Sequence, residues 1–215
     1  MRLWLKYALI PLLYRRPVPE LPPERLYLLL DALTRTKALP GAVVEVGCFQ
    51  CGTSAWAYRM LQALGLPRQY LCIDTFGGFV EAQFSHDVEV GTAASRRDGF
   101  RVNSPEFVRR LLDHWGVSGI ELLASDIVTL SESRLPGEIA VALLDVDLDA
   151  PTYAALEKIY PRLARGGIIL VDDCGDDAAN PFRGARIGYQ RFMRERGLPE
   201  RFAFGMGVIM PADAP

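Results

Sequence analysis

The sequence predicts an α/β fold: one domain built on a doubly wound, mostly parallel sheet. Three observations predict it. Short apolar, β-branched runs alternate with segments of helical spacing along most of the chain. The chain has 215 residues, half of them hydrophobic, which suits a single full core. Glycines and acids gather where the apolar runs stop, and an open α/β sheet holds its ligands beyond those strand ends.

The elements follow in order. Residues 1–16, "MRLWLKYALIPLLYRR", are apolar but interrupted by Lys6. They are too short to span a bilayer and lack a small-residue cleavage site. The expectation is an N-terminal helix packed on this domain or on a partner subunit. The alternative is peripheral attachment to an anionic membrane through Arg2, Lys6, Arg15 and Arg16. A proline-rich connector, "RRPVPELPPE", completes residues 1–24, and residues 25–215 form the main domain. That domain opens with a helix, "PERLYLLLDALTRTKAL", followed by a buried strand, "AVVEVG". A helix, "CGTSAWAYRMLQALG", stops at Gly65, and "QYLCIDTF" is the second strand.

Residues 77–103 carry no clear periodicity and read as a long functional loop, a lid. Order returns with "SPEFVRRLLDHWG", which has Ser104 as N-cap, Pro105 at the first helical position and one apolar face. The strands "GIELLASD" and "IAVALLDVD" come next. A helix, "APTYAALEKIYPRLARGG", is bent or shortened at Pro161. The strand "GIILVDD", a long last helix "GARIGYQRFMRERG" and two short strands, "RFAFG" and "GVIMP", close the chain.

A formal charge of −2 gives no general attraction to nucleic acid. Four scattered cysteines make no disulfide framework and fit a reducing, cytoplasmic setting.

The chemistry lies at the strand ends. "VVEVGCFQCGTSA" is a strand, a glycine-bearing turn and a helix N-terminus with free N–H groups. It is not the G-x-G-x-x-G of a dinucleotide site. Glu45 before Gly47 instead marks S-adenosylmethionine binding, where a carboxylate can meet the cofactor's ammonium. Asp74, ending the second strand, stands where an acid takes a ribose hydroxyl. The candidate cofactor-binding residues are Glu45, Gly47, Gly52, Thr53, Ser54, Asp74, Thr75 and Asp126. Cys48 and Cys51 form a C-x-x-C, which raises thiol redox chemistry as an alternative to packing.

Asp145, Asp147 and Asp149 follow one apolar run, and Asp172 and Asp173 end the next. Crowded carboxylates repel, so a cation or a shared proton must offset them. A hard divalent cation with oxygen ligands suits the set. Helix capping by Asp149 or Asp173 explains one or two of the acids. A D-x-D after an apolar strand also occurs in metal-dependent phosphatases and glycosyltransferases, but those readings leave Glu45 and Asp74 without a role.

Taken together, "GAVVEVGCFQCGTSA", "CIDTFGGF", "LLDVDLDAPTYAALEKIYPRLARGGIILVDD" and "RGARIGYQRF" resemble the macrocin O-methyltransferase (TylF-like) family. The resemblance implies a Rossmann-like methyltransferase fold with a C-terminal antiparallel strand. It also implies Mg2+- and S-adenosylmethionine-dependent methylation of a hydroxyl on a sugar or glycosylated small molecule. By that match the metal ligands are Asp145, Asp172 and Asp173, and Asp145 or Asp147 is the candidate base. The lid, with His86 and Asp87, would close over the acceptor. A homo-oligomer is a further expectation, and a cofactor-binding scaffold without catalysis is the competing one. The chain departs from the family at Cys51, where a second glycine is usual. It departs again at Asp149 and Ala150, where tyrosine and glutamate are usual.

Overall fold

A computed structural model describes residues 13, 16–176 and 180–210. The expected N-terminal helix and its membrane contact fall on residues 1–16 and lie almost wholly outside the described residues. None of the described helices is long and apolar enough to cross a membrane.

Seven strands form one sheet in the order β3-β2-β1-β4-β5-β7-β6. They are β1 (Ala42–Val46), β2 (Tyr70–Asp74), β3 (Ile120–Ala124), β4 (Ile139–Leu144), β5 (Leu163–Val171), β6 (Phe202–Ala203) and β7 (Met206–Ile209). The first five pair in parallel, and β7 runs antiparallel to both β5 and β6. The strand order reverses between β2-β1 and β4, which opens a crevice at their C-terminal ends.

Helices cover both faces, and the alternation of side chains in the strands decides which face each residue serves. Val43, Tyr70, Cys72, Val141 and Leu143 face one core, with Leu29 and Leu33 of α1 (Pro23–Arg35), Ala55 and Leu61 of α2 (Gly52–Ala63) and Leu111 of α4 (Pro105–His114). Val44, Val46, Ile73, Ala142 and Leu144 face the other, with Leu156 and Ile159 of α5 (Asp149–Ile159) and Phe192 and Met193 of α6 (Gly184–Glu195). Glu45 is the exception within β1: an acid, only 2% exposed, on the α2 side.

Local signals set the element ends. Pro23 sits in the first turn of α1, and Ser104 accepts the Phe107 N–H at 3.1 Å to start α4. Two expectations are corrected. Residues 77–103 are not one loop: they hold α3 (Glu81–Glu89) and a 3-10 turn at Ala94–Arg96. The strand expected from Gly167 begins already at Leu163, because the helix, shortened at Pro161 as expected, ends at Ile159 and passes through a 3-10 turn (Tyr160–Arg162). Proline ends the α-helical ladder, and Leu163 pairs with Ile139 ahead of a register shift in β4.

Candidate active site

The C-terminal ends of β1, β2 and β4, with the segment after β3, border an open cleft. Of the residues singled out from sequence, Glu45, Gly47, Cys48, Thr53, Asp74, Thr75, Asp126, Asp145 and Asp147 line it. Its walls are otherwise largely apolar, with Phe49, Phe79 and Phe100 at the lid side. These rings contact one another edge-on, Phe49–Phe100 and Phe79–Phe100 each at 5.3 Å between centroids. Asp126 accepts a 2.8 Å bond from Gln83 of α3, tying that helix to the segment after β3.

Gly47 has φ +82°, and a Cβ there would sit 1.9 Å from the Asp145 carbonyl oxygen. Its close approach is therefore to β4, so the turn and the first acid are locked together. Asp74 organises the same turn. Its Oδ2 accepts the N–H groups of Cys48 and Phe49, both at 2.9 Å, and its Oδ1 accepts that of Phe76 at 2.7 Å. Oδ1, with this one donor, keeps acceptor capacity.

The helix N-terminus differs from expectation. The N–H groups of Gly52 and Thr53 donate to Glu20 of the connector, at 3.3 and 2.8 Å. The Thr53 hydroxyl donates to the same carboxylate at 3.1 Å. A Cβ on Gly52 would fall 1.8 Å from the Val18 carbonyl oxygen, so this glycine admits the connector, not a ligand. Trp56 fastens it further through Nε1 to the Pro17 carbonyl, 2.9 Å. Ser54 is fully buried beneath the turn, away from the cleft. Gly52 and Ser54 are thus corrected from cofactor contacts to supports.

Glu20 was missed by sequence reasoning. It contacts a helix 32 residues away, and an acid among prolines carries no local signature. It lines the same cleft as Glu45, so two carboxyl-bearing residues border one cavity. Desolvation pushes Glu20 up to about 7, against the pull of the helix N–H groups. Desolvation raises Glu45 to about 8, with hydrogen bonds from Tyr70 (2.7 Å) and Ser54 opposing.

Asp145 and Asp172 extend neighbouring parallel strands. Asp145 continues β4 by donating its N–H to Val46, and Asp172 continues β5 by donating to Leu144, both 2.8 Å. Burial, and then the charges of Asp172 and Asp173, hold the Asp145 carboxyl well above the carboxylate range. Burial and Asp145 do the same to Asp147, which also hydrogen-bonds Asp173. Asp147 and Asp173 both adopt left-handed backbone, φ 62° and 53°. The offsetting cation in this structure is Arg25 of α1. Its Nη1 donates to Asp172 Oδ1 at 2.7 Å and Asp173 Oδ1 at 3.0 Å, and its Nε to the Phe204 carbonyl. Burial and Asp173 raise Asp172 to about 7 even so. Neither Asp172 nor Asp173 lines the cleft itself. Among the described residues, the four acids do not form a group with ligand atoms all within 4.8 Å of one another. Burial and the neighbouring carboxyls thus disfavour the ionised forms of both Asp145 and Asp147.

Asp149 is not a helix cap. It is the first residue of α5, is 6% exposed and pairs with Arg191 of α6 at 3.1 Å. The cap is Asp87, whose two oxygens accept the Asp149 N–H at 3.1 and 3.2 Å. Asp87 is fully buried, while His86 is exposed on the outer side of α3; neither lines the cleft. Cys48 and Cys51 are buried.

Comparison with known proteins agrees with this geometry. Residues 24–203 match the family described as macrocin-O-methyltransferase (TylF). A curated relative from Streptomyces olivaceus, 8-demethyl-8-(2,3-dimethoxy-alpha-L-rhamnosyl)-tetracenomycin-C 4'-O-methyltransferase, is 31% identical over 144 residues. That alignment covers 65% of this chain, and the chain spans about half (55%) of the relative's length. The O-methyltransferase NovP has the same fold, with a TM-score of 0.74 at 20% identity, covering 87% of this chain and 79% of its own. An O-methyltransferase from Bacillus cereus in complex with SAH has a TM-score of 0.56 at 13% identity, covering 97% and 89%. The glycine turn with its acid, the paired strand-end aspartates and the match over residues 24–203 give one conclusion: the chain belongs to the macrocin O-methyltransferase (TylF) family.

Proposed function

We propose that the chain transfers a methyl group from S-adenosylmethionine to a hydroxyl on a sugar of a glycosylated small molecule. The observation that carries this is the convergence of Glu45, Asp74, Asp126 and Asp145 on one cleft at the switch point of the sheet. The family and the rhamnoside methyltransferase relative support the acceptor class. Glu45 and Glu20 face the cofactor's cationic end, and Asp74 Oδ1 accepts from the ribose. Methyl transfer is an in-line displacement, so the chain's main task is alignment. The aromatic lid side, Phe79 and Phe100, covers the reacting groups and excludes water.

The donors are carboxylate oxygens, the hard ligand type a divalent cation takes, and Arg25 holds two of these carboxyls in the present arrangement. Asp145, Asp172 and Asp173 would hold it. When bound, such an ion lowers the pKa of an acceptor hydroxyl. Asp145 and Asp147, which line the cleft at the end of β4, are the candidate bases for the hydroxyl's proton, the one that does not take it lying nearer the ion. The test is methyl transfer onto a panel of rhamnosides and other glycosides, with magnesium and with chelator. Magnesium-dependent methylation of a sugar hydroxyl is expected. Turnover unaffected by chelator would remove the metal, and transfer only to sugar-free acceptors would remove the glycoside.

A further inference from the structure

At the turn after β1 lies a second cluster, whose Cys48 also lines the cleft and whose three thiols have no part in the proposed methyl transfer. Cys48 and Cys51 of the turn and Cys72 of β2 place their three sulfur atoms within 4.8 Å of one another. All three are buried, at 2%, 0% and 0% exposure. Among the described residues this is the one group of three or more His, Cys, Asp or Glu side chains gathered so closely. We propose that the three thiols form a site for a thiophilic divalent ion of the zinc type.

The geometry supports it in three ways. A tetrahedral zinc with bonds of about 2.3 Å to sulfur sets its sulfur atoms roughly 3.8 Å apart, so the trio needs to contract by about 1 Å at most. The Cys51 N–H donates to the Cys48 carbonyl at 2.7 Å, a tight turn that brings the two thiols of the C-x-x-C to one side. The Ser54 hydroxyl, 3.4 Å from the Cys72 sulfur, offers a fourth, oxygen position. The backbone adds an independent observation. Cys51 has φ 60°, a conformation glycine adopts without strain. A residue needed only to fill space there would be glycine; a cysteine keeps a sulfur aimed at two others. Binding is a ligand exchange with no redox change: three thiols lose their protons to solvent, and the product, one divalent ion on three thiolates, carries one negative charge. Arg109 is a cation whose field reaches Cys51.

The test titrates the reduced full chain with cadmium, a zinc analogue whose thiolate charge-transfer absorbance reports sulfur ligation. The wild type should show a band saturating at one ion per chain, with a rise in thermal midpoint. Cys51→Gly relieves the left-handed strain and so should fold, which keeps the test decisive. It and Cys72→Ala should bind more weakly by more than the roughly 10–100-fold that loss of an outer-shell partner costs. No saturating band in the wild type overturns the site. So does a band of unchanged affinity in either variant whose circular dichroism shows it folded.

Discussion

Replacing Glu45 by glutamine should stabilise the protein at neutral and alkaline pH and leave it unchanged near pH 4.5. The residue is 2% exposed, and its carboxyl rises from 4.5 to about 8, chiefly through desolvation. A carboxyl with a raised folded pKa binds more protons in the native state. Its contribution is therefore fully present below about 4.5 and is lost as pH rises through about 8. At pH 7 the loss is about 2.5 pH units at 1.36 kcal/mol each, or roughly 3 kcal/mol. Glutamine has the same shape, cannot ionise, and still accepts the Tyr70 hydroxyl bond made at 2.7 Å. The difference between variant and wild type should thus grow from near zero at pH 4.5 to roughly 3 kcal/mol at pH 7. Asp147 and Asp172 titrate in both proteins, while Glu20 and Asp145, whose charges couple to Glu45, add to the pH-dependence of the difference. Urea denaturation of both proteins across pH 4.5–8.5 makes the measurement. A difference that stays flat with pH refutes the reasoning, because it would mean that Glu45 is solvated or already paired.

Arg25→Gln should destabilise by about 2–3 kcal/mol, since it leaves Asp172 and Asp173 without their cation. Magnesium should raise the thermal midpoint of that variant more than that of the wild type, and an equal response would deny that arginine and metal share these carboxylates. Asp87→Ala should cost about 1–2 kcal/mol through loss of the α5 cap, read by chemical denaturation. Because Asp87 is itself raised to about 6, chiefly by desolvation, Asp87→Asn should cost less at pH 7 than at lower pH. Gly47→Ala should cost more than about 2 kcal/mol, because its Cβ meets the Asp145 carbonyl and its φ is +82°. An alanine variant of wild-type stability would show that the turn can move away from β4.

Much of the sheet was legible because buried parallel strands are short, β-branched and bounded by turn residues, as "AVVEV" and "IAVALL" are. Ser104 and Pro105 announced α4 for a similar local reason. The lid helix α3 escaped because only Phe84 and Asp87 along it are buried, and tertiary contacts hold it: Gln83 on Asp126 and Asp87 on α5. Within the site, the strand-end acids could be read from spacing, since parallel register aligns the ends of β4 and β5. Their cation could not. Arg25 lies 147 residues from Asp172, and nothing local links the two. Asp149 looked like a cap because aspartates cap helices, yet Arg191 claims its side chain and Asp87 its N–H.

The central claim, that this cleft holds S-adenosylmethionine by its cationic end, is tested most directly by calorimetric titration of that cofactor in two buffers of different ionisation heat. At pH 7 Glu45, pushed up to about 8, is mostly protonated in the free protein. A cation seated beside it should expel part of that proton. The account predicts one cofactor per chain, with net proton release that falls clearly in Glu45→Gln. Absence of binding heat, or binding whose proton release is the same in both proteins, would contradict it.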